Sequence, residues 1–319
     1  MGLKWKMASI TLAVLLASRV TAFESGRSGF TVAYAGEKSP YQVNAVFLMP
    51  GETLDVKVFE KDGPGFSLLL PDGSTLPGAA RRGWSWVAPR VAGLYPLIIR
   101  RSGGDSLSPG KTSLLNAFVM VPASELKGGY LRGYRVGKYP GTPLKGLTFY
   151  KPPKGFVEVT PELRATPLSP HFRLEQFLCK QSPALPAFLV LKERLILKLE
   201  TVLEKVNENG YACQGFHVMS GYRTPFYNRS IGNVKYSVHQ WGGAADIFID
   251  EHPVDGTMDD LNGDGKSDGK DSGILFEIVD RMSRNEFYLP YLGGVGKYSE
   301  NRTRGPFVHV DVRGFRALW

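Results

Sequence analysis

Three residues in the C-terminal half of this chain have the types and spacing for metal chemistry. His239 and Asp246 lie in Ser237-Val-His239-Gln-Trp-Gly-Gly-Ala-Ala-Asp246, and His309 lies in Phe307-Val-His309-Val-Asp311-Val. Two imidazoles and one carboxylate make a ligand set that zinc accepts while keeping a fourth position for water. An open position of that kind separates catalytic zinc from structural zinc, so the chemistry expected is hydrolysis. The competing reading is a core histidine and a helix-capping aspartate.

The local sequence favours the first reading. Gly242, Gly243, Ala244 and Ala245 separate the first two ligands, so the backbone can turn sharply there and approach closely. Asp246-Ile-Phe-Ile reads as a short buried strand. Val308 to Val312 alternates apolar and polar residues, which puts His309 and Asp311 on one face. Asp311 is therefore a candidate general base, or else a support that orients an imidazole. Arg223, in Met219-Ser220-Gly221-Tyr222-Arg223, carries a planar fork of donors suited to a carboxylate or an oxyanion. A structural ion pair is its alternative.

Four segments, taken jointly and in order, resemble the M15 family of zinc D,D-peptidases. They are Ser220-Gly-Tyr-Arg223, Ser237-x-His-x-x-Gly-x-Ala-x-Asp246, Gly293-Gly-Val-Gly-x-Tyr298 and Phe307-Val-His-Val-Asp311. The resemblance runs from about Ser169 to Trp319. It implies the fold shared by D-Ala-D-Ala carboxypeptidases and the hedgehog signalling domain, and zinc on His239, Asp246 and His309. It also implies substrate contacts from Ser220, Tyr222 and Arg223, and peptidoglycan peptides as substrate. The chain departs from the carboxypeptidase branch at Pro306, where those relatives carry Glu or Asp three residues before the final histidine. That departure leaves a second class open: a zinc-keeping binding module without turnover.

A second metal signal is Asp260-Leu-Asn262-Gly-Asp264-Gly265-Lys-Ser-Asp268-Gly-Lys-Asp271. Asp260, Asn262, Asp264, Asp268 and Asp271 fall at the ligand positions of a calcium loop, with glycine where the sharp turn is needed. Asp271 replaces the usual Glu at the last position, as in dockerin-like loops. The alternative is an acidic surface turn.

The elements around these residues suggest an α+β protein. Residues 23–135 carry short apolar or alternating runs, such as Leu54-Asp-Val-Lys-Val-Phe59, separated by Pro50-Gly51, Asp62-Gly63 and Pro71-Asp72-Gly73. That pattern suggests an all-β sandwich. Trp84 and Trp86 alternate on one face and are expected in its core. Residues 136–168, rich in Gly, Pro and Tyr, read as a stiff linker, and 169–319 as the zinc domain. Leu195, Leu199, Val202 and Val206 define the buried face of a helix over Pro186–Asn207. A second helix is expected over Ile274–Arg284.

The chain has 319 residues and is 43% hydrophobic, enough for ordinary cores and two domains. Met1–Ala22 reads as a secretory signal: Lys4 and Lys6, then an apolar run too short to span a membrane, then Val20-Thr21-Ala22 as cleavage site. Removing its three cations lowers the formal net charge from +9 to +6. The expectation is an exported, periplasmic or secreted protein with no membrane span after cleavage. A basic exported protein suits an anionic cell-wall partner. No basic helix interleaved with aromatics points to nucleic acid. Cys179 and Cys213 are the only cysteines, and export predicts a disulfide between them.

Overall fold

The computed structural model describes residues 22–60, 65–78, 82–102 and 112–319. The expected signal segment therefore lies outside the described residues, except for Ala22. No helix among the described residues is long and apolar enough to cross a membrane. The architecture is mixed, with many strands and few helices.

The first half is built from β1 (Arg27–Tyr34), β2 (Glu37–Tyr41), β3 (Val43–Leu48), β4 (Thr53–Phe59), β5 (Phe66–Leu69), β6 (Thr75–Leu76), β7 (Gly83–Val87), β8 (Gly93–Arg101) and β9 (Thr112–Val119). They form two sheets, ordered β2-β1-β4-β7 and β3-β9-β8-β5-β6. The alternation read in the sequence becomes burial: Leu54, Val56 and Val58 of β4 are buried, and Thr53, Asp55 and Lys57 are exposed. Those side chains share one apolar core with Val32, Leu68, Trp84, Trp86, Leu97 and Leu115. Both tryptophans are core residues.

The middle segment holds β10 (Val121–Pro122), the hairpin of β11 (Tyr130–Leu131) and β12 (Tyr134–Arg135), then β13 (Gly155–Val159) and β14 (Ala187–Leu189). The segment read as a stiff linker, 136–168, packs onto the C-terminal core. Val136, Tyr139, Tyr150, Phe156 and Val159 are buried in the same core as the C-terminal sheet. Tyr139 and Tyr150 pack edge-on against Trp241, whose indole N–H donates to the Lys151 carbonyl at 3.0 Å. Aromatic rings supply enough apolar area to fix even a Pro/Gly-rich backbone onto a core, a property that composition alone hides.

The C-terminal part contains α1 (Glu193–Glu208), β15 (His217–Ser220), α2 (Pro225–Ser230), β16 (Ala244–Phe248), α3 (Gly269–Met282), β17 (Gly294–Tyr298), β18 (Phe307–Asp311) and β19 (Ala317–Leu318). Its sheet has the order β15-β16-β18-β17-β19. Leu195, Leu199, Val202 and Val206 are fully buried on α1, as their spacing requires. The helix starts later than the sequence suggested, because Ala187–Leu189 pairs with β13 as a strand. Conversely, α3 starts earlier: Asp268 caps it, accepting from the Lys270 amide at 2.7 Å, while Asp271 accepts from the Asp268 amide at 2.8 Å.

Candidate metal centre

Strand register brings the three chemical residues together. On β16, Asp246 lies directly opposite His309 of β18 and opposite Ser220 of β15. His239 arrives from a short helical turn over Val238–Trp241. That turn ends on Gly242 with φ of +66°, where a Cβ would sit 2.1 Å from the Val190 carbonyl oxygen. Only glycine fits both the left-handed backbone and that close approach. The reversal delivers the chain straight into β16, so the spacing between His239 and Asp246 reflects one turn followed by one strand.

The ligand atoms form a small triangle. His239 Nε2 lies 3.1 Å from His309 Nδ1 and 3.2 Å from Asp246 Oδ1, and His309 Nδ1 lies 2.9 Å from the same Oδ1. Nitrogen and oxygen ligands about 2.0–2.1 Å from a tetrahedral zinc ion stand about 3.3 Å apart, so the triangle matches within a few tenths of an ångström. All three residues are buried, and among the described residues this is the only such group of His, Cys, Asp or Glu able to hold a metal.

The outer nitrogens of both rings are occupied. His239 Nδ1 donates to the Gly221 carbonyl at 2.7 Å, and His309 Nε2 faces Asp311 Oδ2 at 3.1 Å. Each ring thus leaves its other nitrogen facing the triangle, the orientation that metal-binding histidines require. Burial lowers the His239 pKa, favouring the neutral ligand form. For His309 burial pulls the same way, but hydrogen bonds to Asp246 and Asp311 outweigh it and raise the value. Burial would raise the Asp246 pKa, yet the two imidazoles hold it well below the usual carboxylate range.

Asp311 sits behind His309, not across from it. Its Oδ1 accepts from the Gly294 amide at 2.8 Å and the Arg313 amide at 3.0 Å, and the Arg313 guanidinium closes on the carboxylate. Lys198 from α1 donates to the Asp311 carbonyl at 2.7 Å. Burial opposes the charge, but His309 and Arg313 hold this carboxyl far below its usual range. With its oxygens so committed, Asp311 faces the far nitrogen of the His309 ring and does not line the cleft that opens on the triangle.

Arg223 engages the other side of Asp246: its guanidinium pairs with Oδ2, and its Nε donates to Ser220 Oγ at 2.8 Å. Arg223 also lines a cleft of about 580 Å³ that opens on the triangle. Ser220 supports Arg223 and does not line the cleft. Nor does Tyr222, which is buried with its hydroxyl 2.9 Å from that of Tyr139. The substrate contact expected of Tyr222 is therefore corrected: its ring faces core.

Sequence reasoning missed the opposite wall of the cleft, formed by Tyr298, Arg304, Phe307, Arg313 and Trp319. The Trp319 indole packs beside His309 with ring centres 5.2 Å apart, and its N–H donates to the Tyr298 hydroxyl at 2.7 Å. The Gly293-Gly-Val-Gly run was the available signal. A Cβ on Gly294 would meet Asp311, Trp319 and Arg313, and one on Gly296 would strike the Trp319 indole at 2.4 Å. The motif is small because that indole lies on it.

Other expectations resolve elsewhere. Cys179 and Cys213 are both free and buried. The Thr224 amide approaches Cys179 Sγ at 3.5 Å, and Cys213 Sγ donates to the Gly215 carbonyl at 3.3 Å. Each thiol is satisfied locally, so the expected disulfide is corrected. In the acidic loop, Asp260 accepts from the amides of Gly263, Asp264 and Gly265, Asp264 pairs with Lys270, and Asp271 accepts from the amides of Leu261 and Asn262. These carboxylates bind the loop's own backbone and cap α3. His171 lies away from the cleft, paired with Glu200 at 2.7 Å.

Compared with known families, residues 170–262 match Peptidase M15, in line with the resemblance read from the motifs. The match includes His239 and Asp246 and covers under a third of the chain. No curated protein and no solved structure matches it.

Proposed function

We propose that a chain with a Peptidase M15 segment and this buried His/Asp/His triangle is a zinc metallopeptidase that cuts peptide bonds in peptidoglycan stem peptides or cross-links, as a D,D-carboxypeptidase or murein endopeptidase. The supporting observation is the triangle itself, with both outer imidazole nitrogens already tied to Gly221 and Asp311. Zinc, which His239, Asp246 and His309 would hold, would supply Lewis acidity toward a carbonyl and acidify a water. The chain's own residues do the rest. Gly221 and Asp311 fix the ring tautomers, Arg223 fixes the Asp246 carboxylate, and Arg223, which also lines the cleft, would meet negative charge developing on substrate.

The same proposal includes the broader organisation: a hedgehog/D,D-peptidase-like domain, an N-terminal β-sandwich and export to the periplasm or beyond, the last resting on the pattern of Met1–Ala22. Calcium at Asp260, Asn262, Asp264, Asp268 and Asp271 is a separate proposal, resting on their spacing alone; terbium luminescence quenched by calcium tests it.

A specific observation favours a second reading, a zinc-containing wall-binding module without turnover. Among the described residues lining the cleft, Asp246 is the only carboxylate, and it is a ligand. The deciding experiment incubates the zinc-loaded protein and its His239→Ala variant with purified cross-linked muropeptides and weighs the products. Fragments from the first and not the second establish the peptidase, and their masses name the bond. No fragments from a protein with zinc confirmed bound favour the module.

A further inference from the structure

We infer that Arg304 is a specificity-determining residue that binds a carboxylate of the peptide lying in the cleft, which makes anionic peptides the preferred ligands. The inference rests on the metallopeptidase reading for its setting, and on the charge balance of the cleft for its content.

Three guanidiniums line the cleft, those of Arg223, Arg304 and Arg313. Arg223 is paired with Asp246 and Arg313 with Asp311. Among the described residues Arg304 has no acidic partner; its Nη1 donates to the Ser299 carbonyl at 3.2 Å. Zinc would add two positive charges, and the wall offers no further acid to balance them. A neutral or cationic ligand would leave that positive field uncompensated in a partly desolvated site, whereas a carboxylate would complete it.

Arg304 is also held in place for such a contact. Tyr298 and Phe307 face each other across β17 and β18, with ring centres 4.5 Å apart and planes within 6°. The Arg304 guanidinium lies over both, 4.5 Å from the Phe307 ring centre and 5.3 Å from that of Tyr298. Stacking restricts its rotamers and leaves its edge donors available for bidentate capture of a carboxylate. The loop that presents it is shaped by Asn301, whose Oδ1 accepts from the amides of Thr303 and Arg304.

The distance suits a neighbouring substrate residue. Phe307 and His309 lie on the same face of β18, two positions apart, which is roughly 7 Å along a strand. A peptide advances about 3.3–3.6 Å per residue when extended. A carboxylate held over Phe307 therefore belongs about two residues from the carbonyl at the metal. Its source is either the peptide's C-terminus or an acidic side chain.

The test titrates full chain that has been stripped of metal with chelator, so that turnover cannot occur. Calorimetry would compare an N-acetylated D-alanyl peptide carrying one acidic side chain and a free C-terminus with its C-terminal amide and its side-chain amide. Wild type should lose at least tenfold in affinity with one of the two amides, and that amide identifies the source. Arg304→Ala, with an unchanged melting temperature, should bind all three within twofold of one another, and Arg304→Lys should restore part of the discrimination. An Arg304→Ala protein that still discriminates tenfold, or a wild type indifferent to both amides, overturns the inference. Product formation by zinc-loaded wild type is scored separately, so failure of the peptidase reading is distinguishable from failure of this one.

Discussion

Arg223 and Asp246 form a partly buried ion pair in which the two carboxylate oxygens have separate tasks: Oδ2 meets the guanidinium and Oδ1 faces both imidazoles. The arginine expected to contact substrate thus also aims a candidate metal ligand. Arg223→Ala frees that carboxylate to rotate. Zinc affinity should fall on the order of tenfold to a hundredfold, the range seen when supports of metal ligands are removed, together with any cleavage. Chelator competition measures the first. Full zinc affinity with cleavage lost would confine Arg223 to substrate.

Asp311 allows a sharper separation. Replaced by Asn, it should release His309 Nε2 and weaken zinc by a similar factor, because its bonds run to His309, Gly294 and Arg313. A base facing the substrate predicts the opposite: unchanged zinc affinity and abolished turnover. Metal content by mass spectrometry beside a cleavage assay distinguishes the two.

The cysteines are predicted to behave as two buried thiols. Burial raises the pKa of both, so they should resist alkylation in the native protein and take up two labels after denaturation without reductant. One disulfide would give no labels under the same conditions. Dithiothreitol should leave the melting temperature unchanged.

His171 should make stability depend on pH at a place outside the candidate metal centre. Burial lowers its pKa, but the Glu200 carboxylate, itself fully buried, more than reverses that, so the folded value lies above 6.5. A raised folded value means the stabilisation is complete below the unfolded pKa and disappears as pH rises through the folded one. Thermal stability should fall across that window, and His171→Asn should flatten the dependence. An identical slope in the variant would assign the effect to another group.

Leu199 is fully buried on α1 in the C-terminal core. Leu199→Ala should cost about 2–5 kcal/mol, according to how far the cavity collapses. Urea denaturation reads it directly, and a loss under 1 kcal/mol would mean that the helix is loosely packed.

Much of the site was legible in the chain because its signals are local. The ligand types, the glycine turn before Asp246 and the alternation through His309 each follow from a few neighbouring residues, and so do the buried face of α1 and the strand punctuation of the first half. What depends on distant contacts was not legible. The tyrosines at 139 and 150 gave no hint that they pack on Trp241, and two cysteines in a chain read as exported gave no hint that each thiol finds a nearby partner. The alternation put Asp311 and His309 on one face, yet only the tertiary fold, through Arg313 and the Gly294 amide, turned that carboxylate toward the far nitrogen of the ring. Sequence by itself determined which atoms could bind a metal, since that is a property of residue types and short-range backbone. The fold alone decided which faces of those side chains meet, because strand register and packing join residues that are dozens of positions apart.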